Sequence, residues 1–228
     1  MVLGWDGLGL ISFVLVIYYQ RDKALGAGLV TALINRVGDV LMLARISLLR
    51  ESGYWELWGL SLEEGVVGLV LVMVAVLSIT KRAQIPFSYW LPAAIIAPTP
   101  VSALVHSSTL VTAGVYLMVR LLIGVGELQV GGFVRSLLLV VSLLTNVMAG
   151  ISACFEVDLK KIVALSTLRQ LGIIVMALAM GYYSLAFFHL ITHALFKSLM
   201  FIRVGRVIHL FGDSQDLRDV GGLWERMP

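Results

Sequence analysis

The chain has 228 residues, 59% hydrophobic and 14% charged, with a net charge of +3 and a mean hydropathy of +0.96. Soluble domains run at about 45–50% apolar and about 25% charged, so this balance excludes an ordinary soluble enzyme and points to a bilayer as the solvent. The small, dispersed charge leaves no electrostatic footprint for nucleic acid. The one cysteine, Cys154, cannot close an internal disulfide; it reads as a small buried apolar side chain. No Cys/His cluster has metal-ligand spacing.

A span needs roughly 20 mainly apolar residues to cross about 30 Å of hydrocarbon. Length therefore accommodates about seven spans, and the expected fold is all-α: a polytopic transmembrane bundle forming one membrane domain over 1–228. The first apolar segment covers about 2–19 and closes at Gln20-Arg21-Asp22-Lys23. It has no basic leader, and Asp6 interrupts it early, unlike a signal peptide. The second, 25–49, carries Asn35-Arg36-Val37-Gly38-Asp39. A polar loop follows over 50–64, with Trp55 and Trp58 suited to the headgroup region. The third begins near Gly65 and runs past Lys81 into Pro86 and Pro92. Proline removes a backbone donor and clashes with the preceding turn, so a broken helix is expected near Pro86. Such a break is tolerated at membrane depth only where protein or a water-filled cavity satisfies the freed groups.

The fourth segment opens at Pro98-Thr99-Pro100, as helix starts tolerate proline, and reaches about Ile123. The fifth, sixth and seventh cover 131–155, 162–183 and 185–211, and a polar stretch, 212–228, leads towards a further helix beyond this chain. No internal repeat or low-complexity linker occurs.

Function has to come from the charges inside the spans. An ionisable group near the bilayer centre costs at least about 2.5–3.5 kcal/mol, so it normally faces a bundle interior or cavity. Asp6 falls in the first segment. Arg36 and Asp39, three apart, share a helix face and could pair with each other. Lys81 stands five residues before Pro86, at a helix C-terminus whose dipole favours a cation, and where a break admits water. His106 interrupts the fourth segment within Val105-His106-Ser107-Ser108-Thr109. His189, His193 and Lys197 recur every four residues and form one stripe along the seventh segment. Titratable groups stacked in this way suit a proton wire. Asp158, Lys160 and Lys161 read as a loop or helix start and are assigned no chemistry.

These strings resemble a known family. Gly4-Trp5-Asp6-Gly7 and Asn35-Arg36-Val37-Gly38-Asp39 are similar to two signatures of the antiporter-like, proton-translocating subunits of respiratory complex I. So are Thr80-Lys81-Arg82-Ala83-Gln84-Ile85-Pro86-Phe87 and the following Trp90-Leu91-Pro92. Ala97-Pro98-Thr99-Pro100-Val101-Ser102-Ala103-Leu104-Val105-His106-Ser107-Ser108-Thr109 resembles a long and specific family string. Asp158-Leu159-Lys160-Lys161-Ile162 with Ser166-Thr167, and Thr192-His193-Ala194-Leu195-Phe196-Lys197, continue the match. Ser214-Gln215-Asp216-Leu217-Arg218 and Gly221-Gly222-Leu223 resemble a loop of the mitochondrial subunit 5 branch of NADH dehydrogenase (ubiquinone).

The resemblance implies a proton-translocating subunit of an NADH:ubiquinone reductase in the mitochondrial inner membrane, lodged among other complex I membrane subunits and lipid. Asp6 and Lys81 would be the carboxylate–lysine pair, with Arg36, Asp39 and Pro86 in support. His106, His189, His193 and Lys197 would carry the axis onward. This chain would hold no cofactor; NADH, FMN, iron–sulfur clusters and ubiquinone would belong to other subunits. Two other readings compete: a subunit of a multi-subunit cation/proton antiporter, which shares these motifs, and an inactive fragment or pseudogene product.

Two departures stand out. The family's subunit is much longer, so the chain is expected to be an internal piece. Arginine also replaces the family's usual small or apolar residue at Arg82 and Arg169, and at Arg45, Arg203 and Arg206, while Ile95 replaces methionine. Invertebrate mitochondria read AGA and AGG as serine and ATA as methionine, whereas the standard code gives arginine and isoleucine. A mitochondrial gene, or its nuclear copy, rendered by the standard code would produce this pattern. Sequencing the gene should then show AGA or AGG at the five arginines; CGN codons there would contradict the idea.

Overall fold

The computed structural model describes residues 2–51, 64–103, 109–125 and 132–223. Within them the helices are α1 (Val2–Val16), α2 (Asp22–Glu51), α3 (Glu64–Lys81), α4 (Trp90–Ala94), α5 (Thr99–Val101), α6 (Leu110–Val125), α7 (Gly132–Phe155), α8 (Leu159–Ala179) and α9 (Tyr183–Leu210). Short 3₁₀ turns follow α1 at Ile17–Tyr19 and α9 at Leu217–Asp219. The all-α expectation holds: among the described residues the one β feature is an isolated antiparallel bridge between Asp158 and Asp216. Helices α2, α7, α8 and α9 are long and apolar enough to cross a membrane, and α1, α3 and α6 contain shorter apolar stretches.

Apolar runs of span length fixed most boundaries, and the largest departures lie at the prolines. Within the fourth segment, Pro98 precedes the single turn α5, the helical winding widens to π-type turns at Ser102, Ala103 and Thr109, and α6 runs from Leu110. Single π turns inside helices recur at functional sites because they free backbone groups. His106, Trp55 and Trp58 lie outside the described residues.

The third segment breaks as expected, but at Lys81 rather than at proline. Ala83 sits in the left-handed region at φ +54°. Gln84 N–H then reaches back to the Ile79 carbonyl at 3.2 Å and Ala83 N–H to that of Thr80 at 3.4 Å. This paired closure satisfies carbonyls that a helix end otherwise leaves open. It usually uses glycine at the left-handed position; alanine there carries strain. Trp90, fully buried at the start of α4, donates its indole N–H to the Thr80 carbonyl at 3.0 Å. The cap and the indole together hold the residue before Lys81.

Around the break the bundle is tight. Helix α2 packs against α1, α3 and α4, α3 against α6, α6 against α9, and α7 against α8. Without a hydrophobic drive in lipid, close approach depends on small residues. A methyl at Gly38 would stand 2.5 Å from the Thr80 hydroxyl, and one at Gly205 would stand 2.7 Å from that of Thr99. The outer faces are apolar, with Leu33, Leu43, Phe188 and Leu195 among the exposed side chains, as a lipid-facing surface should be. Cys154 corrects its expectation: it lies on this exposed face, its thiol 3.3 Å from the Gly150 carbonyl.

Gly38→Ala should lower the thermal stability of the assembled subunit by roughly 1–3 kcal/mol, the usual cost of overpacking. Gly150→Ala, where nothing lies within 4 Å of the added carbon, should not. Melting curves in detergent decide it; equal melting of the two variants would show that the α2–α3 contact is not close.

Candidate functional site

Lys81 is the last residue of α3, where the helix dipole favours a cation, and it is 2% exposed. Its Nζ lies 3.1 Å from Oδ1 of Asp39 and 5.2 Å from the centre of the Trp5 ring. Asp39 is itself buried on α2. One turn earlier on the same face, Arg36 places Nη1 2.7 Å from Asp6 Oδ1 and 3.9 Å from Asp39 Oδ2. Asp6 and Arg36 are about half exposed.

The order of charges is therefore Asp6, Arg36, Asp39, Lys81, running from a half-exposed edge to the interior. This corrects the expected pairing. Lys81 takes Asp39 as its partner, while Asp6 is held by Arg36. The Arg36–Asp39 pair within α2 exists only as the longer contact, because Asp39 turns inward to the lysine.

The buried pair is close, and Coulombic attraction in a poorly solvated setting holds it. Gly9 of α1 faces the pair: a methyl there would stand at ordinary contact distance, 3.5 Å, from Lys81 Nζ. A cavity of about 100 Å³ adjoins the carboxylates, lined by Trp5, Asp6, Arg36, Asp39 and Met42. A single water needs about 10–15 Å³, so several fit.

The histidine–lysine stripe lies on α9, facing α8. His193 and Lys197 are buried. His189 Nε2 is 3.0 Å from Gln170 Oε1, and Lys197 Nζ donates to Ser166 Oγ at 2.7 Å. His193, between them, makes no hydrogen bond at either ring nitrogen among the described residues. An imidazole with both nitrogens buried and unbonded has open sites for a mobile partner.

Several contributors escaped sequence reading. Trp5 sits inside a recognised motif, yet its ring stacking on Lys81 needs the fold to show it. Ser166 and Gln170 are four apart on α8 and so share a face, matching the period of the α9 stripe; that spacing was available in the sequence. Gln84, just past the break, accepts a hydrogen bond from the buried Thr145 hydroxyl of α7. The structure thus brings Asp6, Arg36, Asp39 and Lys81 into one cluster and His189, His193 and Lys197 into another. Pro86 lies between α3 and α4, following a cis peptide bond.

Arg82 is fully buried beside Lys81. Its Nε donates to the Ser78 carbonyl at 2.9 Å and an Nη donates to the Ser78 hydroxyl. The described residues place no carboxylate within 4 Å of it. Arg45 is also buried, whereas Arg169, Arg203 and Arg206 are exposed.

Comparison with known proteins agrees with this architecture. The chain is 52% identical to the NADH-ubiquinone oxidoreductase chain 5 of Anopheles arabiensis, aligned over 100% of this chain and 59% of that protein. It is 50% identical to the protein of the same name from Lumbricus terrestris, over 100% of this chain and 39% of that protein. It therefore spans only part of the curated relatives it matches. Among solved structures it superposes on the Mrp complex from Dietzia sp. DQ12-45-1b with TM-score 0.85 and 32% identity, covering 92% of this chain and 24% of that one. It superposes on the membrane-bound sulfane sulfur reductase, an archaeal respiratory membrane complex, with TM-score 0.89 and 25% identity, covering 100% and 48%. The family described as NADH:quinone oxidoreductase/Mrp antiporter, transmembrane, matches residues 1–228, and the chain belongs to it.

Proposed function

We propose that this chain forms part of a proton-translocating membrane subunit of an NADH:ubiquinone reductase in the mitochondrial inner membrane. Lys81 is the proton-holding group and Asp39 its switchable counter-charge. The observation that carries this reading is the Lys81–Asp39 pair, fully inside the bundle at a helix break, with Arg36 in reach of both Asp39 and Asp6.

The chemistry follows from competition for one carboxylate. With Asp39 beside it, an ammonium in a dry interior keeps its proton; with Asp39 drawn away, it yields it. Arg36 can draw Asp39 away by exchanging Asp6 for it, a side-chain motion of a few ångströms that leaves the four-charge cluster neutral. Moving one charge through 100 mV needs about 2.3 kcal/mol, the load that such an exchange of partners must meet.

The packing of α6 on both α3 and α9 supports a route from the Lys81 cluster to His189, His193 and Lys197; His106, outside the described residues, is proposed as its intermediate on the sequence alone. The free energy comes from electron transfer elsewhere in the complex, where other subunits carry NADH, FMN, iron–sulfur clusters and ubiquinone. The likeness to the Mrp complex favours a second reading, a cation/proton antiporter subunit. The relatives near 50% identity over the whole chain favour the respiratory one.

Removing one partner leaves an uncompensated buried charge, at a cost of about 3–5 kcal/mol, and removes the exchange of partners on which the proposed transfer depends. In an intact complex, Lys81→Ala and Asp39→Asn should each cut proton pumping to near background, measured as the pH change per NADH oxidised. The double variant should be no worse than either single change, because both remove the same interaction. Wild-type pumping in Lys81→Ala would remove the lysine from the mechanism, and additive losses would separate it from Asp39.

A further inference from the structure

At one face of the bundle, the ends of α1 and α9, the starts of α2 and α8, and the stretch before α5 enclose an open cavity of about 630 Å³. Arg21, Thr99, Lys160, His209, Asp213 and Gln215 line it together with apolar side chains. Its size falls within the about 300–1,000 Å³ typical of small-ligand sites.

Lys160 is its anchor. This side chain is 8% exposed, yet the described residues supply it with no hydrogen bond or ion pair. A lysine side chain so largely buried normally has an anion near its ammonium. The one carboxylate in the lining, Asp213, acts on Lys160 only from beyond ion-pair distance and lies 3.1 Å from the exposed His209 ring. Arg21 adds a second cation, its guanidinium 5.7 Å from the centre of the Tyr19 ring, a stacking that leaves its edge donors free. An arginine fork and a lysine point charge lining one cavity are a phosphate-binding combination.

The wall is built. The Leu159 amide donates to the Gln215 carbonyl at 3.0 Å and the Leu217 amide to that of Val157 at 3.1 Å. These bonds pin the segment after α9 to the α7–α8 turn. Ile96 and Ile208 supply an apolar side. Beside the lining, Tyr18 and Leu210 are exposed, where an acyl chain could lie.

We propose that this cavity binds a phosphate-bearing anion through Lys160 and Arg21, the phosphodiester of an anionic phospholipid being the source that fits a site at a helix-end face. The test uses the intact, delipidated complex containing the full subunit, as wild type, Lys160→Gln, Arg21→Gln and Lys160→Arg. One arm titrates spin-labelled phosphatidylglycerol in phosphatidylcholine vesicles, and the other titrates radiolabelled inorganic phosphate. Wild type should immobilise the anionic lipid, Lys160→Gln and Arg21→Gln should bind it about tenfold more weakly (about 1.4 kcal/mol), and Lys160→Arg should retain it. Binding of inorganic phosphate alone, lost in Lys160→Gln, would support the site with a soluble source. The proposal is overturned if Lys160→Gln assembles normally and keeps wild-type affinity in both arms.

Discussion

A buried ammonium next to a buried carboxylate is the interaction on which the rest of this structure depends. Lys81 is almost completely enclosed, and among the described residues its close counter-charge is Asp39 at 3.1 Å. Burial at this depth costs several kcal/mol for each ion unless the opposite charge stays near. The bundle must therefore bring α2 against the end of α3. The packing at Gly38 is the geometric condition for that approach: bare backbone on α2 opposite Thr80.

The helix break serves the same requirement. Ending α3 at Lys81 places its negative dipole end beside the cation, and the left-handed Ala83 closes the freed carbonyls without adding a residue to the span. Trp90 then takes the Thr80 carbonyl, so the chain beyond the break is fixed to the helix it left. A backbone fixed in this way would confine any motion of the ion pair to side chains, as the proposed switch requires. The α9 stripe differs, since its two outer members are hydrogen-bonded to Gln170 and Ser166 while His193, in the centre, is not.

Much of this was legible in the sequence. Apolar runs of span length located the helices to within a few residues, because hydrocarbon thickness sets their length. Pro86 announced a break, although the helix stopped earlier, where a left-handed cap at Ala83 could form; proline marks a region and the cap chooses the residue. Spacing of four put His189, His193 and Lys197 on one face. What spacing could not tell was which helix crosses which, and so the reading chose Asp6 for Lys81 where the fold supplies Asp39. The same limit hid the stacking of Trp5 on Lys81 and the Thr145–Gln84 bond, contacts between segments far apart in the chain. Arg82 runs the other way: its position inside a span looked costly from sequence, and the structure encloses it with hydroxyl and carbonyl partners but no acid within 4 Å among the described residues.

The central claim is that Asp39 changes partners as the proton moves. Infrared difference spectra of the intact complex, recorded between resting and turning-over states with isotope-labelled aspartate, read that carboxylate directly. The account predicts a carboxylate band that shifts with turnover and disappears in both Asp39→Asn and Lys81→Ala. A band assigned to Asp39 that stays unchanged through turnover, in a complex that pumps normally, would contradict it.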